Sequence, residues 1–447
     1  MSLRTTSLGT SALAPTSPEK GHKTDGSLTL PSGKKIQVDA VLVRTLSTGF
    51  FSRISASIRR WVESWNYQHI VFDKKEIRIS KNASSQEIAA TNEKIAKQLI
   101  SEQDVKVFLP QDEDKAQKIY QAFSQNTSNW LTRASALQIE TSESVTENGI
   151  RFQLLKKGTG EIDIQVKGEL LGKGTYKVAK VAFSLLKNIR EAKTKPVKSS
   201  TKEDLKGIQH EYTVSQALHK KGKISFVMEI HQVRNSASPN KIALLGELCD
   251  KGDFFNIIVD PNVQFSEKLS LLIDTAKGLQ EIHKKGFCHL DIKPENIFIK
   301  TNEKGKLEPR IGDFGFVTKI NSKTSPCGTP AFIAPEMLIG SPIICTDKMD
   351  VFSFGVMLYD AINSPPPSIP THPIKSNNLF HADPRKKRFD QTNRKKHITV
   401  QKNLRKENDP YKCLIADCVQ LDPAKRPSMK EVHKRLVAIQ KQQQSPT

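Results

Sequence analysis

The chain has 447 residues, 37% of them hydrophobic, and a formal net charge of +22. That length suffices for two or three domains with an ordinary core, and the charge implies acidic partners: acidic protein segments, nucleic acid or an anionic membrane. Six cysteines without a Cys-x-x-Cys pair argue against a zinc site or a disulfide framework and for a reducing compartment. No apolar run approaches the ~18 residues of a membrane-spanning helix, and no charged-then-apolar secretory signal opens the chain.

Residues 1–35 are rich in Ser, Thr, Gly and Pro and read as a disordered tail, a composition that also suits a non-cleaved bacterial export signal. Ile36 to Arg44 alternates as a strand. Phe50 to Trp65 reads as an amphipathic helix, with Phe51, Ile54, Ile58, Trp61, Val62 and Trp65 on one face and Arg53, Arg59 and Arg60 mostly off it. Such a helix either packs on its own domain or lies on a membrane surface. Helices are expected near Gln86–Glu102 and Asp114–Leu137, and the polar stretch Thr141–Asn148 reads as a linker. Residues 36–148 thus form a mixed, mostly helical region of regulatory or localising role.

From Gly149 the pattern changes. Strands at Phe152–Leu155 and Ile162–Leu171 lead into Gly172-Lys173-Gly174-Thr175-Tyr176-Lys177-Val178, where glycines let backbone amides approach phosphates. A second strand over Lys177–Leu186, a turn at Asn188–Ala192 and the segment Lys195-Pro196-Val197-Lys198 follow; Pro196 is an oddity in a strand. Asp204–Lys220 reads as a helix carrying Glu211, Val214 and Leu218 at helical spacing. Lys241–Cys249 reads as a strand and Lys268–Lys285 as a long helix. Then come His289-Leu290-Asp291-Ile292-Lys293-Pro294-Glu295-Asn296 and Gly312-Asp313-Phe314-Gly315. Asp291 and Asn296 share one loop and Asp313 opens another, supplying a hydroxyl-orienting base and two metal-holding groups, the set that phosphoryl transfer needs. Downstream lie Gly328-Thr329-Pro330, Ala334-Pro335-Glu336, Asp350-Val351-Phe352-Ser353-Phe354-Gly355 and Asp422-Pro423-Ala424-Lys425-Arg426-Pro427. In this order the segments resemble a complete domain of the eukaryotic-type protein kinases, and the Asp-x-Lys spacing resembles the Ser/Thr branch. Leu290 departs from the usual Arg, as in non-RD members.

The resemblance implies an α+β, two-lobed kinase fold over residues 149–440, with a β-rich N-lobe, a mainly helical C-lobe, a basic insert at 364–409 and a disordered tail at 441–447. It implies ATP with Mg²⁺, or Mn²⁺, and a protein substrate. Asp291 would orient the substrate hydroxyl, Lys293 would neutralise the γ-phosphate, and Thr329 would contact both. Asn296 and Asp313 would hold the metal. Gly172, Gly174 and Val178 would line the nucleotide. A strand lysine, best matched by Lys198 with Lys193 and Lys187 as alternatives, would be held by Glu211. The family's third glycine is either replaced by Lys177 or deleted. Glu247, Leu248 and Cys249 would form the hinge against adenine, which puts Gly246 at the gatekeeper position and implies a cavity behind it. Glu336 would pair with Arg426, Asp350 would anchor the catalytic loop, and Phe352 replaces the commoner Trp.

Leu290 cannot pair with a phosphate, so activity without obligatory activation-segment phosphorylation is expected. Ser215 stands where the family usually buries an apolar side chain, which would weaken the packing around the Glu211 helix. With the loose glycine loop and uncertain lysine, it favours the alternative of a pseudokinase scaffold; the intact Asp291, Lys293, Asn296 and Asp313 favour an enzyme. The basic runs Pro384-Arg385-Lys386-Lys387-Arg388 and Arg394-Lys395-Lys396 can serve as a nuclear address, a dock for acidic substrate, a phosphoinositide contact or simply a solvated insert. Sparse aromatics argue against a specific nucleic-acid platform. Peripheral membrane contact would use Phe50–Trp65 or the insert. The location expected is cytoplasmic; delivery of a bacterial effector to a host cytosol, or nuclear entry, are the alternatives.

Overall fold

The computed structural model describes residues 27–29, 35–37, 43–45, 67–72, 75–80, 84–173, 177–196, 202–235, 237–338, 343–363 and 391–444. The Phe50–Trp65 helix, Gly174, Lys198 and the basic run at 384–388 lie outside the described residues. Among the described residues no helix is long and apolar enough to cross a membrane. The chain divides into two compact units, residues 1–136 with 186–188, and residues 137–185 with 189–447.

The first unit is more β-rich than its sequence suggests. β1 (Ser27–Thr29) pairs with β2 (Lys35–Gln37), and β3 (Val43–Thr45) and β4 (Tyr67–Phe72) flank β5 (Lys75–Ser80) in an antiparallel sheet. Three helices follow: α1 (Ser85–Leu99), α2 (Glu102–Phe108) and α3 (Glu113–Ala136). A capping box starts α2, with Ser101 Oγ accepting from the Asp104 N–H at 3.1 Å and Asp104 Oδ2 from the Ser101 N–H at 2.7 Å. Asn92 ties α1 to α3 by bonding the Gln125 carbonyl and the Ser128 N–H.

The second unit opens with a β-barrel. Its strands are β6 (Thr141–Glu147), β7 (Ile150–Lys156), β8 (Ile162–Lys173), β9 (Lys177–Ser184), β10 (Ile189–Pro196), β11 (Ile230–Asn235) and β12 (Ser238–Glu247). They close in the order β10-β12-β11-β6-β7-β8-β9, which leaves no free sheet edge. The expected linker at Thr141–Asn148 is therefore a strand. Asn148 and Gly149, at φ +51° and +75°, form the two-residue turn that folds β6 onto β7. Closure comes from a parallel pairing of β6 with β11. The expected turn at Asn188–Ala192 is mostly β10, the turn itself falling at 185–188.

The barrel buries an unusual amount of polarity. Lys157 pairs with Glu191 at 2.6 Å. Gln165 donates to Asp163 at 3.1 Å and Glu191 at 2.5 Å, and Ser184 donates to Asp163 at 2.6 Å. Buried charges of this kind need partners, and here each carboxylate has several.

Helix α4 (Lys202–His219) sits between β10 and β11 in the chain. Beyond the barrel come α5 (Phe254–Val259), α6 (Phe265–Lys284) and β13 (Phe287–Cys288), then the hairpin β14 (Ile297–Thr301)–β15 (Leu307–Ile311). Short strands β16 (Thr318–Lys319), β17 (Lys323–Thr324) and β18 (Ile343–Ile344) flank the segment before α7 (Asp347–Ile362). Helix α7 is buried along almost its whole length, so its sequence lacks a polar face. Helices α8 (Gln391–Lys406), α9 (Pro410–Cys418) and α10 (Met429–Gln444) complete the unit, the last extending into the expected tail at 441–447. Part of the basic insert is thus a docked helix. His397 is buried in α8 and stacks on Phe352 with ring centres 5.9 Å apart, while Arg394, Lys395 and Lys396 remain exposed.

Candidate active site

Asp350, fully buried on α7, organises the loop after β13. Its Oδ2 accepts from the His289 N–H at 2.7 Å and bonds His283 Nε2 at 2.8 Å; its Oδ1 accepts from the Leu290 N–H at 2.8 Å. Burial opposes its charge, yet His283, and then the His289 ring and amide, hold its carboxyl below the usual range. The bonds keep Leu290 in the left-handed region at φ +65°, with its side chain buried. His289 in turn bonds the Gly312 carbonyl at 2.9 Å and meets Phe314 edge-on, so the two motifs share one frame.

Asp291 is buried and its four lone-pair sites are all used. Oδ1 accepts from the Thr329 N–H and Oγ1, both at 2.7 Å. Oδ2 accepts from Asn296 Nδ2 at 2.9 Å and faces Lys293 Nζ at 3.3 Å. Lys293 also donates to Thr329 Oγ1 at 2.7 Å. Gly328, at φ +97°, lets Thr329 come this close, because a Cβ there would collide with the Leu290 carbonyl. Asn296 donates to the Asp291 carbonyl as well, at 2.7 Å, which leaves its amide oxygen as the acceptor face.

The nucleotide side differs from the expectation. Glu211 on α4 is buried and paired, but its partner is Lys177, the first residue of β9. The Lys177 Nζ lies 2.6 Å from Glu211 Oε1 and 2.7 Å from Asp313 Oδ1. Burial disfavours the ammonium, but the two carboxylates more than offset it and its pKa is raised. Asp313, left-handed at φ +60°, is held below the carboxylate range against its burial by Lys177. Burial and the Asp313 charge push Glu211 up. The alternative Lys193 is buried, with its Nζ donating to Gln153 and lying 3.5 Å from Gln165 Oε1; desolvation and the Lys195 charge lower it to about 7. Lys187 falls in the turn between β9 and β10. The signal for Lys177 was present in the sequence: a lysine at the position of the third glycine, and no clean Val-Ala-x-Lys afterwards.

Around these groups, Gly172 is the penultimate residue of β8 with open space where a Cβ would stand, and Val178 pairs with both Lys173 and Lys195. The Glu247 side chain is spent on Lys300 and on Arg310 Nε at 2.8 Å, so only its backbone is available to a ligand. Cys249 follows β12, and among the described residues its backbone makes no backbone–backbone hydrogen bond. Beside Gly246, where a cavity is expected, stands Met228, a residue that no motif marks. Its sulfur lies 3.5 Å from where a Cβ on Gly246, and equally one on Gly312, would stand. Ser215 does not loosen α4 either, because its buried hydroxyl accepts from the Ile230 N–H at 2.9 Å.

Glu336 and Arg426 form the expected pair, bidentate at 2.6 and 2.7 Å. Arg426 also donates to the Gln420 and Lys348 carbonyls and lies 5.0 Å over the Phe352 ring.

A family model for the protein kinase domain matches residues 165–437. The chain belongs to the protein kinase family, in its eukaryotic-type Ser/Thr superfamily. It is similar to the serine/threonine-protein kinase DCLK3 of Mus musculus, 30% identical over 195 residues, or 41% of this chain and 24% of the relative. The ovarian-specific serine/threonine-protein kinase Lok of Drosophila melanogaster is 28% identical over 218 residues, 46% of this chain and 41% of the relative. The serine/threonine-protein kinase CG17528 of the same fly is 30% identical over 212 residues, 45% and 26% respectively. The chain spans less than half the length of the curated relatives it matches.

Proposed function

We propose that the chain is an active, ATP-dependent protein Ser/Thr kinase whose phosphate-holding lysine is Lys177. The observation that carries this reading is the Lys177 bridge between Glu211 and Asp313 beside a complete Asp291–Lys293–Asn296–Thr329 set. Asp313 and the Asn296 amide oxygen are hard oxygen donors suited to Mg²⁺, with phosphates and water completing the shell. When bound, Mg²⁺-ATP supplies the γ-phosphoryl group and neutralises charge on its oxygens. The protein's part is positioning. Asp291 orients a Ser or Thr hydroxyl, Lys293 faces the transferred group, and Cys249 meets adenine through its backbone. Incubation with labelled ATP, Mg²⁺ and a generic protein acceptor should label Ser and Thr, and Asp313→Ala should lower labelling at least about a hundredfold. Equal labelling by the two proteins would refute catalysis at this site.

Activation-segment phosphorylation is dispensable in this reading. Leu290 is buried and offers no charge to a phosphate. The segment is already tied down by the β13–β16 and β17–β18 pairs, by reciprocal backbone bonds of Cys345 with Asn321 and Ser322, and by Thr329 on Asp291. Alanine at Thr318, Ser322, Thr324 and Ser325 together should keep kcat/KM within about threefold of wild type, because the Thr318 and Thr324 hydroxyls bond only the nearby Phe316 and Ser325 carbonyls and the backbone pairs that tie the segment down remain. Complete loss of activity would sink the idea.

A further inference from the structure

We infer that Glu140 and Tyr212 form a latch that holds α4 where Glu211 meets Lys177, making both of them positioning residues for phosphoryl transfer. The inference rests on the kinase reading above and adds to it Glu140, which lies N-terminal to the family match over residues 165–437.

Four successive residues of α4 each bond a different part of the unit. Gln209 Oε1 accepts from Arg234 Nη2 at 2.6 Å, His210 Nε2 bonds the Val317 carbonyl at 2.9 Å, Glu211 pairs with Lys177, and the Tyr212 hydroxyl donates to Glu140 Oε1. At 100° per residue these four directions encircle the helix, so its rotation and translation are both fixed. Of the four, only the Tyr212 contact is anchored on a residue that precedes the barrel strands.

Glu140 is built for that task. It stands immediately before β6 with φ +62°, a conformation that strains a non-glycine residue and persists only when its surroundings fix it. Its carbonyl accepts from the Arg234 N–H at 2.8 Å and its Oε2 from Gln232 Nε2 at 3.0 Å, both on β11. Gly158, between β7 and β8, closes the other side: a Cβ there would stand 3.1 Å from Glu140 Oε1 and 3.6 Å from the Tyr212 hydroxyl. Burial, reinforced by the bonded carboxylate, raises the Tyr212 phenol, so it remains a donor throughout the working pH range. One carboxylate therefore joins α4 to β11 of the closed barrel, and the residue just before Tyr212 on α4 is Glu211.

The experiment compares wild type with Tyr212→Phe, Glu140→Ala and Glu140→Gln in the full chain. It reads kcat, KM for ATP and hydrogen exchange of residues 205–219 without nucleotide. Tyr212→Phe and Glu140→Ala should each lower kcat/KM about tenfold and speed exchange in α4, while exchange in α6 and α7 stays as in wild type. Glu140→Gln should recover most of the loss. Its amide oxygen can still accept from Tyr212, and its amide nitrogen can donate to the Gln232 Oε1, which lacks a donor in the structure. Wild-type kinetics in both Tyr212→Phe and Glu140→Ala, or uniform exchange changes across the unit, would overturn the latch. If wild type and Asp313→Ala prove equally inactive, the kinase reading fails instead; the latch then stands or falls on the local exchange in α4.

Discussion

Lys177→Met will lower kcat/KM at least about a hundredfold, while Lys198→Met will leave it within about threefold. The magnitude is that of removing one charged donor aimed at transferring phosphates. The Lys177 ammonium is the group lying within 2.7 Å of both Glu211 and Asp313, so its loss leaves a buried carboxylate and a metal-side carboxylate facing each other without a cation. Lys177→Arg will not restore activity, because a planar guanidinium cannot take the place of a compact ammonium between two carboxylates. Steady-state kinetics at saturating acceptor settle the matter. Near-normal turnover in Lys177→Met with collapse in Lys198→Met would return the role to Lys198.

The second large effect is on stability. Arg426→Met should destabilise the protein by ~3–5 kcal/mol, because Glu336 is left charged beside an apolar replacement. Arg426 is 0% exposed at its side chain and makes its bidentate pair, two carbonyl bonds and the Phe352 contact from one guanidinium. Urea unfolding would show a lower midpoint at unchanged slope. The double variant Glu336→Leu, Arg426→Met should cost less than the sum of the single changes, since it removes both charges. A cost below ~1 kcal/mol for Arg426→Met would show that the pair is not holding this part of the fold.

The catalytic half was legible because its chemistry is local. Asp291, Lys293 and Asn296 sit on one short loop, and the Asp350, Glu336 and Arg426 motifs each carry a fixed partner. The nucleotide half was harder to read. Which of several lysines reaches Glu211 depends on how β9, β10 and α4 come together, and spacing along a lysine-rich stretch does not encode that. The polar strands of the barrel were hard to read for a different reason. Periodicity finds strands by apolar alternation, but these strands bury Ser142, Asp163, Gln165, Ser184, Glu191 and Lys193. Thr141–Glu147 looked like a linker by composition; its Asn148-Gly149 turn was the overlooked sign of a hairpin. Glu140 and Met228 carry no motif at all, since their roles exist only across strands distant in sequence.

The place of Lys177 also bears on covalent ligands. An amine-reactive group designed to reach a lysine on the third strand of a kinase sheet would meet β10 here, where Lys193 is turned to Gln153 and Gln165. The amine that faces the two carboxylates is carried one residue after Tyr176, at the start of β9. Because two carboxylates hold that amine protonated, an electrophile aimed along the second direction would label it only once a ligand displaces the ion pairs, and its selectivity would come from the angle of attack, with no need for a difference in adenine recognition.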